Sequence, residues 1–186
     1  MTSFTEQAKR YTAYHNSRLT WYTHLIGIPL IFFSLLILFG FLHLVVPNLF
    51  DIKFSDILVV ALLIYYFFLN WKLALVLTPI MILLLWLSDL INYAGPTAFS
   101  VWSFIIIFLL GCAFQLAGHL IEGSKPALWN NPKDSLAAPM FITAELFFKA
   151  GKMNSLKKEI YGETLPETHK EEVEAEQPSK KKKSKE

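Results

Sequence analysis

Three of the five histidines in this 186-residue chain, His15, His24 and His119, are the side chains best placed for chemistry. Imidazole is a neutral nitrogen ligand for first-row metals and a proton carrier near neutral pH. His15 and His24 are nine residues apart. On one unbroken helix that spacing turns through about 900° and puts them on opposite faces. They can share a ligand only if the helix breaks between them, and Asn16-Ser17 offers such a break and a cap for the helix that follows. Gln115, His119 and Glu122 stand at i, i+4 and i+7, one face of a helix. The i, i+3 step from His119 to Glu122 is one that metal sites in helical bundles use. Three histidines and a carboxylate suit a divalent ion such as iron or zinc. Cys112 is the only cysteine, which excludes a disulfide within the chain and a thiolate cluster.

The plainer readings stand beside these. A histidine at a membrane interface is as often a hydrogen-bonded packing residue as a ligand. Glu122 at a helix C-terminus opposes the helix dipole, which favours a paired or functional carboxylate over a decorative one. Glu145 lies beside an apolar stripe, either as a partner of the site or as the edge of the stripe. His43 comes 19 residues after His24; on a helix this is about 28 Å along the axis, at the opposite leaflet. His169 sits in a polar tail. The sequence holds no phosphate-binding glycine loop, nucleophile elbow or dinucleotide motif.

The elements that must position these residues are membrane spans. Apolar residues make up 54% of the chain and charged residues 17%. Between positions 25 and 121 the only charges are Asp51, Lys53, Asp56, Lys72 and Asp89. A soluble domain needs charge over its whole surface, so this pattern excludes a simple soluble globule, and equally a disordered chain or a disulfide-stapled module. A net charge of +2 gives no argument for nucleic acid. Residues 25–46 form an uncharged run of spanning length, ended by Pro47-Asn48. Residues 54–91 are too long for one crossing, and Asn70-Trp71-Lys72 divides them into spans of about 54–70 and 73–91. Asn92 to Pro96 is a turn, and 99–121 is the fourth span. The expected fold class is all-α: an integral membrane four-helix bundle with short interfacial amphipathic helices at both ends. A re-entrant hairpin is the alternative for the middle pair.

Lys9, Arg10 and Arg18 precede the spans and twelve basic residues follow Ile121, against Lys53 alone in the first loop. By the positive-inside rule both termini are expected in the cytosol, in a bacterial inner membrane or the endoplasmic reticulum. This even topology brings His15, His24 and His119 to one membrane depth. Ser3-x-x-Glu6 is a capping box, and Phe4, Ala8, Tyr11 and His15 follow along one face of a helix expected to lie on the membrane. Gly123-Ser124-Lys125-Pro126 is a turn. Met140, Phe141, Ala144, Phe147 and Phe148 make a second interfacial stripe. The expected organisation is an interfacial segment over 1–24, a membrane domain over 25–121, a second interfacial segment over 122–160 and a charged tail over 161–186. The tail has too little apolar surface to fold.

A family resemblance appears at these residues. Tyr11-x-x-x-His15 and His24-x-x-Gly27-x-Pro29 resemble the opening of the small membrane proteins related to the fungal 2-hydroxy-palmitic acid dioxygenase. Gln115-x-x-Gly118-His119-x-x-Glu122-Gly123-x-x-Pro126-Ala127-Leu128 is similar to the same family's second signature, and Pro139-Met140-Phe141 with Glu145 to its C-terminal segment. The family usually has Asn where this chain has Thr20. The resemblance covers about residues 4–150. It implies an Fe(2+)-dependent dioxygenase that shortens a 2-hydroxy fatty acid by one carbon, a step in fatty acid alpha-oxidation that in eukaryotes serves sphingolipid breakdown. It implies His15, His24 and His119 as iron ligands, Glu122 as a ligand or a supporting acid, and Glu145 beside them. The substrate's hydroxyl and carboxylate would be chelated by an interfacial metal that also engages O2, with Gln115 and either Lys125 or Arg18 toward the head group and the acyl chain between the helices, among membrane lipids. Other classes remain open: a zinc-dependent membrane lipid hydrolase, or a transport or scaffold protein. A di-iron desaturase needs more histidines than reach this depth. Oligomeric state is not legible in the sequence.

Overall fold

The computed structural model describes residues 4–13, 18–46, 50–123 and 135–162, with the side chains of 10, 11, 13, 18, 46, 50 and 122 outside that description. The elements in chain order are α1 (Phe4–Ala13), α2 (Arg18–Phe39), β1 (His43–Val46), β2 (Phe50–Lys53), α3 (Phe54–Leu69), α4 (Trp71–Ile91) and α5 (Ala98–Glu122). Two shorter helices follow, α6 (Ala138–Lys149) and α7 (Asn154–Tyr161).

Among the described residues three helical segments are long and apolar enough to cross a membrane: Leu19–Phe39, Trp71–Ile91 and Ala98–Ile121. Helix α3 is apolar but has only 16 residues, about 24 Å at 1.5 Å per residue, against a hydrocarbon core of ~30 Å. Three of the four expected spans are thus long enough to cross, and the short one expected over about 54–70 is an apolar helix of 16 residues. The first span is displaced. Its helix runs over Arg18–Phe39 rather than 25–46, so His24 lies within the helix and not at its start. Gly40 follows the helix, and the β-branched Val45-Val46 and the alternating Phe50-Asp51-Ile52-Lys53 favour strands. Strands β1 and β2 pair antiparallel, with Leu44 opposite Ile52 and His43 opposite Lys53, a hairpin that the all-α expectation missed.

Local chemistry explains where the helices stop. Asn70 closes α3 and opens α4, its Oδ1 accepting from the amides of Lys72 at 3.2 Å and Leu73 at 3.3 Å. That side chain satisfies two of the amide groups that a helix start leaves without partners, which divides the apolar run at the expected place. Thr97 and Ser100 cap α5 reciprocally. Gly123 ends α5 in the left-handed conformation at φ 63°, where a Cβ would be strained.

Helix α5 lies along α2, and the seam between them is made of small residues. A Cβ on Gly27 would come 3.1 Å from the Gly111 carbonyl, and one on Gly111 would come 2.9 Å from the Ile31 amide. Close backbone approach through small residues is how helices associate where lipid removes the hydrophobic drive. A second packing region joins α1, α3, α4, α6 and α7. Phe4 and Ala8 of α1, Tyr66 of α3, Leu73 and Leu77 of α4, Met140, Phe141, Ala144 and Phe148 of α6 and Ile160 of α7 share one buried cluster. The described part of the first stripe, Phe4 and Ala8, and the stripe on α6 are thus buried in protein: α1 packs on α7, and α6 on α4 and α2. Tyr66 donates to the Leu136 carbonyl at 2.8 Å, and Thr5 to Glu159 at 3.1 Å. Lys149 Nζ sits 3.2 Å over the Trp21 ring, a cation–π contact that ties the end of α6 to the start of α2. The short helices therefore cap the end of the molecule where α2 and α4 begin and α3 and α5 end.

Candidate metal centre

His24 and His119 meet at this capped end. Their ring centroids are 5.0 Å apart with the planes at 80°, and both side chains are buried. Neighbouring residues set this geometry. Thr20, His24 and Gly27 stand at i, i+4 and i+7 on α2, and Gly111, Gln115 and Gly118 do the same on α5. The two faces oppose each other.

His24 is held in one orientation. Its Nδ1 lies 2.9 Å from the Thr20 carbonyl. A carbonyl only accepts, so Nδ1 carries the proton and the lone pair is on Nε2. Orientation of a ring by a hydrogen bond on its other nitrogen is how metal-binding histidines are set. Thr20 is fully buried, and its hydroxyl donates to the Gly118 carbonyl at 3.2 Å, across from α2 to α5. A hydroxyl thus bridges the two helices. Gly118 is needed for the His24 ring to lie against α5. A Cβ there would fall 2.9 Å from His24 Cε1 and 2.4 Å from Thr23 Oγ1, both below ordinary contact distance.

The other expected residues divide into two groups. Gln115 is one turn from His119 along α5, and its Cγ packs at the backbone of Gly27, so it faces the same seam. His15, Lys125 and the Glu122 side chain lie outside the described residues; the Glu122 backbone ends α5. Glu145 is buried on α6 and accepts a hydrogen bond from the Tyr161 hydroxyl. Burial, with the Glu145 carboxyl beside it, pushes the Tyr161 phenol well above its ordinary value, so the phenol remains a donor. His43 is at the opposite end of the molecule, hydrogen-bonded to Asp51 at 2.9 Å. Among the described residues no group of three or more His, Cys, Asp or Glu side chains gathers.

Sequence reasoning missed three contributors: Gly118 as a space for the His24 ring, Tyr161 as the partner of Glu145, and Lys149 on Trp21. Gly118 was visible as part of the second signature, though not its purpose. Tyr161 stands at the edge of a charged segment and gives no signal before α6 and α7 are seen together.

Two adjacent imidazoles, one with its tautomer fixed so that Nε2 is the lone-pair nitrogen, form a nitrogen donor set that fits a first-row divalent ion and iron among them. Residues 1–150 match the family described as 2-hydroxy-palmitic acid dioxygenase Mpo1-like. The chain belongs to this family. Comparison with curated proteins and with solved structures finds no match. The family segment includes the α2–α5 seam, both buried histidines and Glu145, and stops before α7, which supplies Tyr161.

Proposed function

We propose that this protein is an iron(II)-dependent membrane dioxygenase that shortens a long-chain 2-hydroxy fatty acid by one carbon. The observation that carries the reading is the buried His24–His119 pair across the seam of two membrane-length helices, in a chain of the 2-hydroxy-palmitic acid dioxygenase family. His24 and His119 would hold the ion, with His15 and Glu122 as the further ligands. When bound, iron supplies the reactivity toward O2 that no side chain here possesses. The chain's own residues bind, orient and shield. The Thr20 carbonyl fixes His24, and Gly118 makes room for its ring. Gln115 offers an amide to the substrate's hydroxyl, and Lys125 a charge to its carboxylate. Glu145, with Tyr161 donating to it, holds a proton acceptor under cover of α6 and α7. The acyl chain extends along the apolar helix surfaces toward the opposite leaflet. Both termini face the cytosol in this reading, supported by the Lys and Arg bias of the flanks.

The test is turnover by detergent-solubilised protein supplied with Fe2+ and O2. A long-chain 2-hydroxy acid should yield the acid one carbon shorter. A plain fatty acid of equal length presents only its carboxylate, so its turnover should fall steeply. Tightly bound zinc, no oxygen consumption and cleavage of an ester or amide would overturn the dioxygenase reading in favour of a zinc-dependent hydrolase.

A further inference from the structure

The β1–β2 hairpin lies at the end of the molecule opposite the two histidines. It leaves α2 at Gly40 and joins α3 directly, with the Phe54 amide donating to the Leu42 carbonyl at 2.9 Å. Alternate strand residues share a face, so the register sorts this hairpin into two unlike sides. One side carries Leu44 opposite Ile52, with Leu42 before them. The other carries His43, Asp51 and Lys53, with Val45 among them. The polar side is internally paired: His43 with Asp51 at 2.9 Å, and Lys53 with Asp89 at the end of α4 at 2.7 Å. The apolar side has no such cover. Leu42 is 56%, Leu44 54% and Ile52 36% exposed, and on the other side Val45 alone among the apolar residues is exposed, at 61%.

We propose that this hairpin is a lipid-binding anchor, with the Leu42, Leu44 and Ile52 face seated in the acyl region of the leaflet opposite the histidines. Three observations favour lipid as the occupant. The hairpin is covalently continuous at both ends with helices whose outward surfaces are apolar and exposed. At the same end of the molecule Trp86, Tyr93, Phe99 and Trp102 are exposed, the aromatic belt of a water–lipid boundary. Helix α3, which starts where the hairpin ends, is about 6 Å shorter than a ~30 Å hydrocarbon core at 1.5 Å per residue. Its start must therefore lie below that boundary or draw the boundary inward. A hairpin with one apolar face covers the deficit, while its paired polar face keeps charge toward water. The anchor is independent of the reaction at the opposite end.

The experiment uses the full chain with Cys112→Ser, reconstituted in phosphatidylcholine vesicles, with single cysteines at Leu44, Ile52, Val45 or Asp51 carrying nitroxide labels. The readout is the ratio of collision rates with O2, which concentrates in acyl chains, to those with a water-soluble nickel chelate. Leu44 and Ile52 should show a ratio severalfold above Val45 and Asp51, alternating with the strand period. All four positions reached equally by nickel would overturn the proposal, because the face would then be in water. Exclusion of both reagents at Leu44 and Ile52 would also overturn it, because protein, such as a second copy of the chain, would then cover the face. These sites are exposed, and far-ultraviolet circular dichroism matching that of the unlabelled protein identifies the variants whose fold is intact.

Discussion

Gly118 has the sharpest single-residue consequence. Gly118→Ala would place a methyl 2.9 Å from His24 Cε1 and 2.4 Å from Thr23 Oγ1, so the ring or the helix must move. The expected cost is about 1–3 kcal/mol of stability, the range for overpacking a close-fitted site, read from denaturant unfolding in detergent, together with weakened metal binding. Thr20→Ala removes one buried hydrogen bond between α2 and α5. It should cost about 0.5–1.5 kcal/mol and leave the His24 tautomer intact, because the Thr20 carbonyl remains. Tyr161 gives a pH signature. The folded state holds its proton above the pH at which the unfolded chain releases it, so its contribution is complete below the unfolded value of about 10. Above that value stability should fall at about 1.4 kcal/mol per pH unit. Tyr161→Phe should make that limb less steep by this amount; equal slopes for the two proteins would show that the phenol is not held by burial and Glu145. The approach of His24 to His119 was legible from residue type and helical spacing, whereas His15 lies outside the described residues. The Thr20–Gly118 bridge was not legible, because a hydroxyl-to-carbonyl bond between helices 98 residues apart in sequence leaves no local pattern.

Among the elements, the division at Asn70 was legible because one side chain with a known capping preference interrupts an apolar run. Asn70→Ala should cost about 0.5–2 kcal/mol, the usual loss for an N-cap, measured by thermal unfolding. The first span was misjudged by about two turns, since counting uncharged residues marks where charge ends and not where the helix begins. Arg18 and the aromatic Trp21-Tyr22 belong to the helix, whereas residues 43–46 leave it for a strand. The period-two alternation of Phe50-Asp51-Ile52-Lys53 was visible but too short to outweigh the apolar run before it. Cysteines placed at Ser3, Pro47 and Ser184 test the proposed orientation. A membrane-impermeant reagent should reach the first and last from one side and the middle one from the other. Labelling of all three from one side would remove the two-sided arrangement.

At the scale of the whole molecule, the membrane character follows from charge placed almost entirely outside residues 25–121. The cap of short helices does not. Amphipathic stripes on α1 and α6 have the composition of surface-lying helices, and only their burial with α4 and α7 separates a protein cap from a lipid contact. The family match and the His24–His119 pair are the two observations on which the proposed iron chemistry rests. The measurement that tests this most directly is iron content per chain after anaerobic loading with Fe2+, for the wild type and for His24→Ala, His119→Ala and His43→Ala. About one iron per chain is expected for the wild type and for His43→Ala, and a sharp loss for the other two, because each removes a nitrogen ligand from a small set. Equal retention in His24→Ala and His119→Ala, or equal loss in His43→Ala, would contradict a metal centre on the α2–α5 seam.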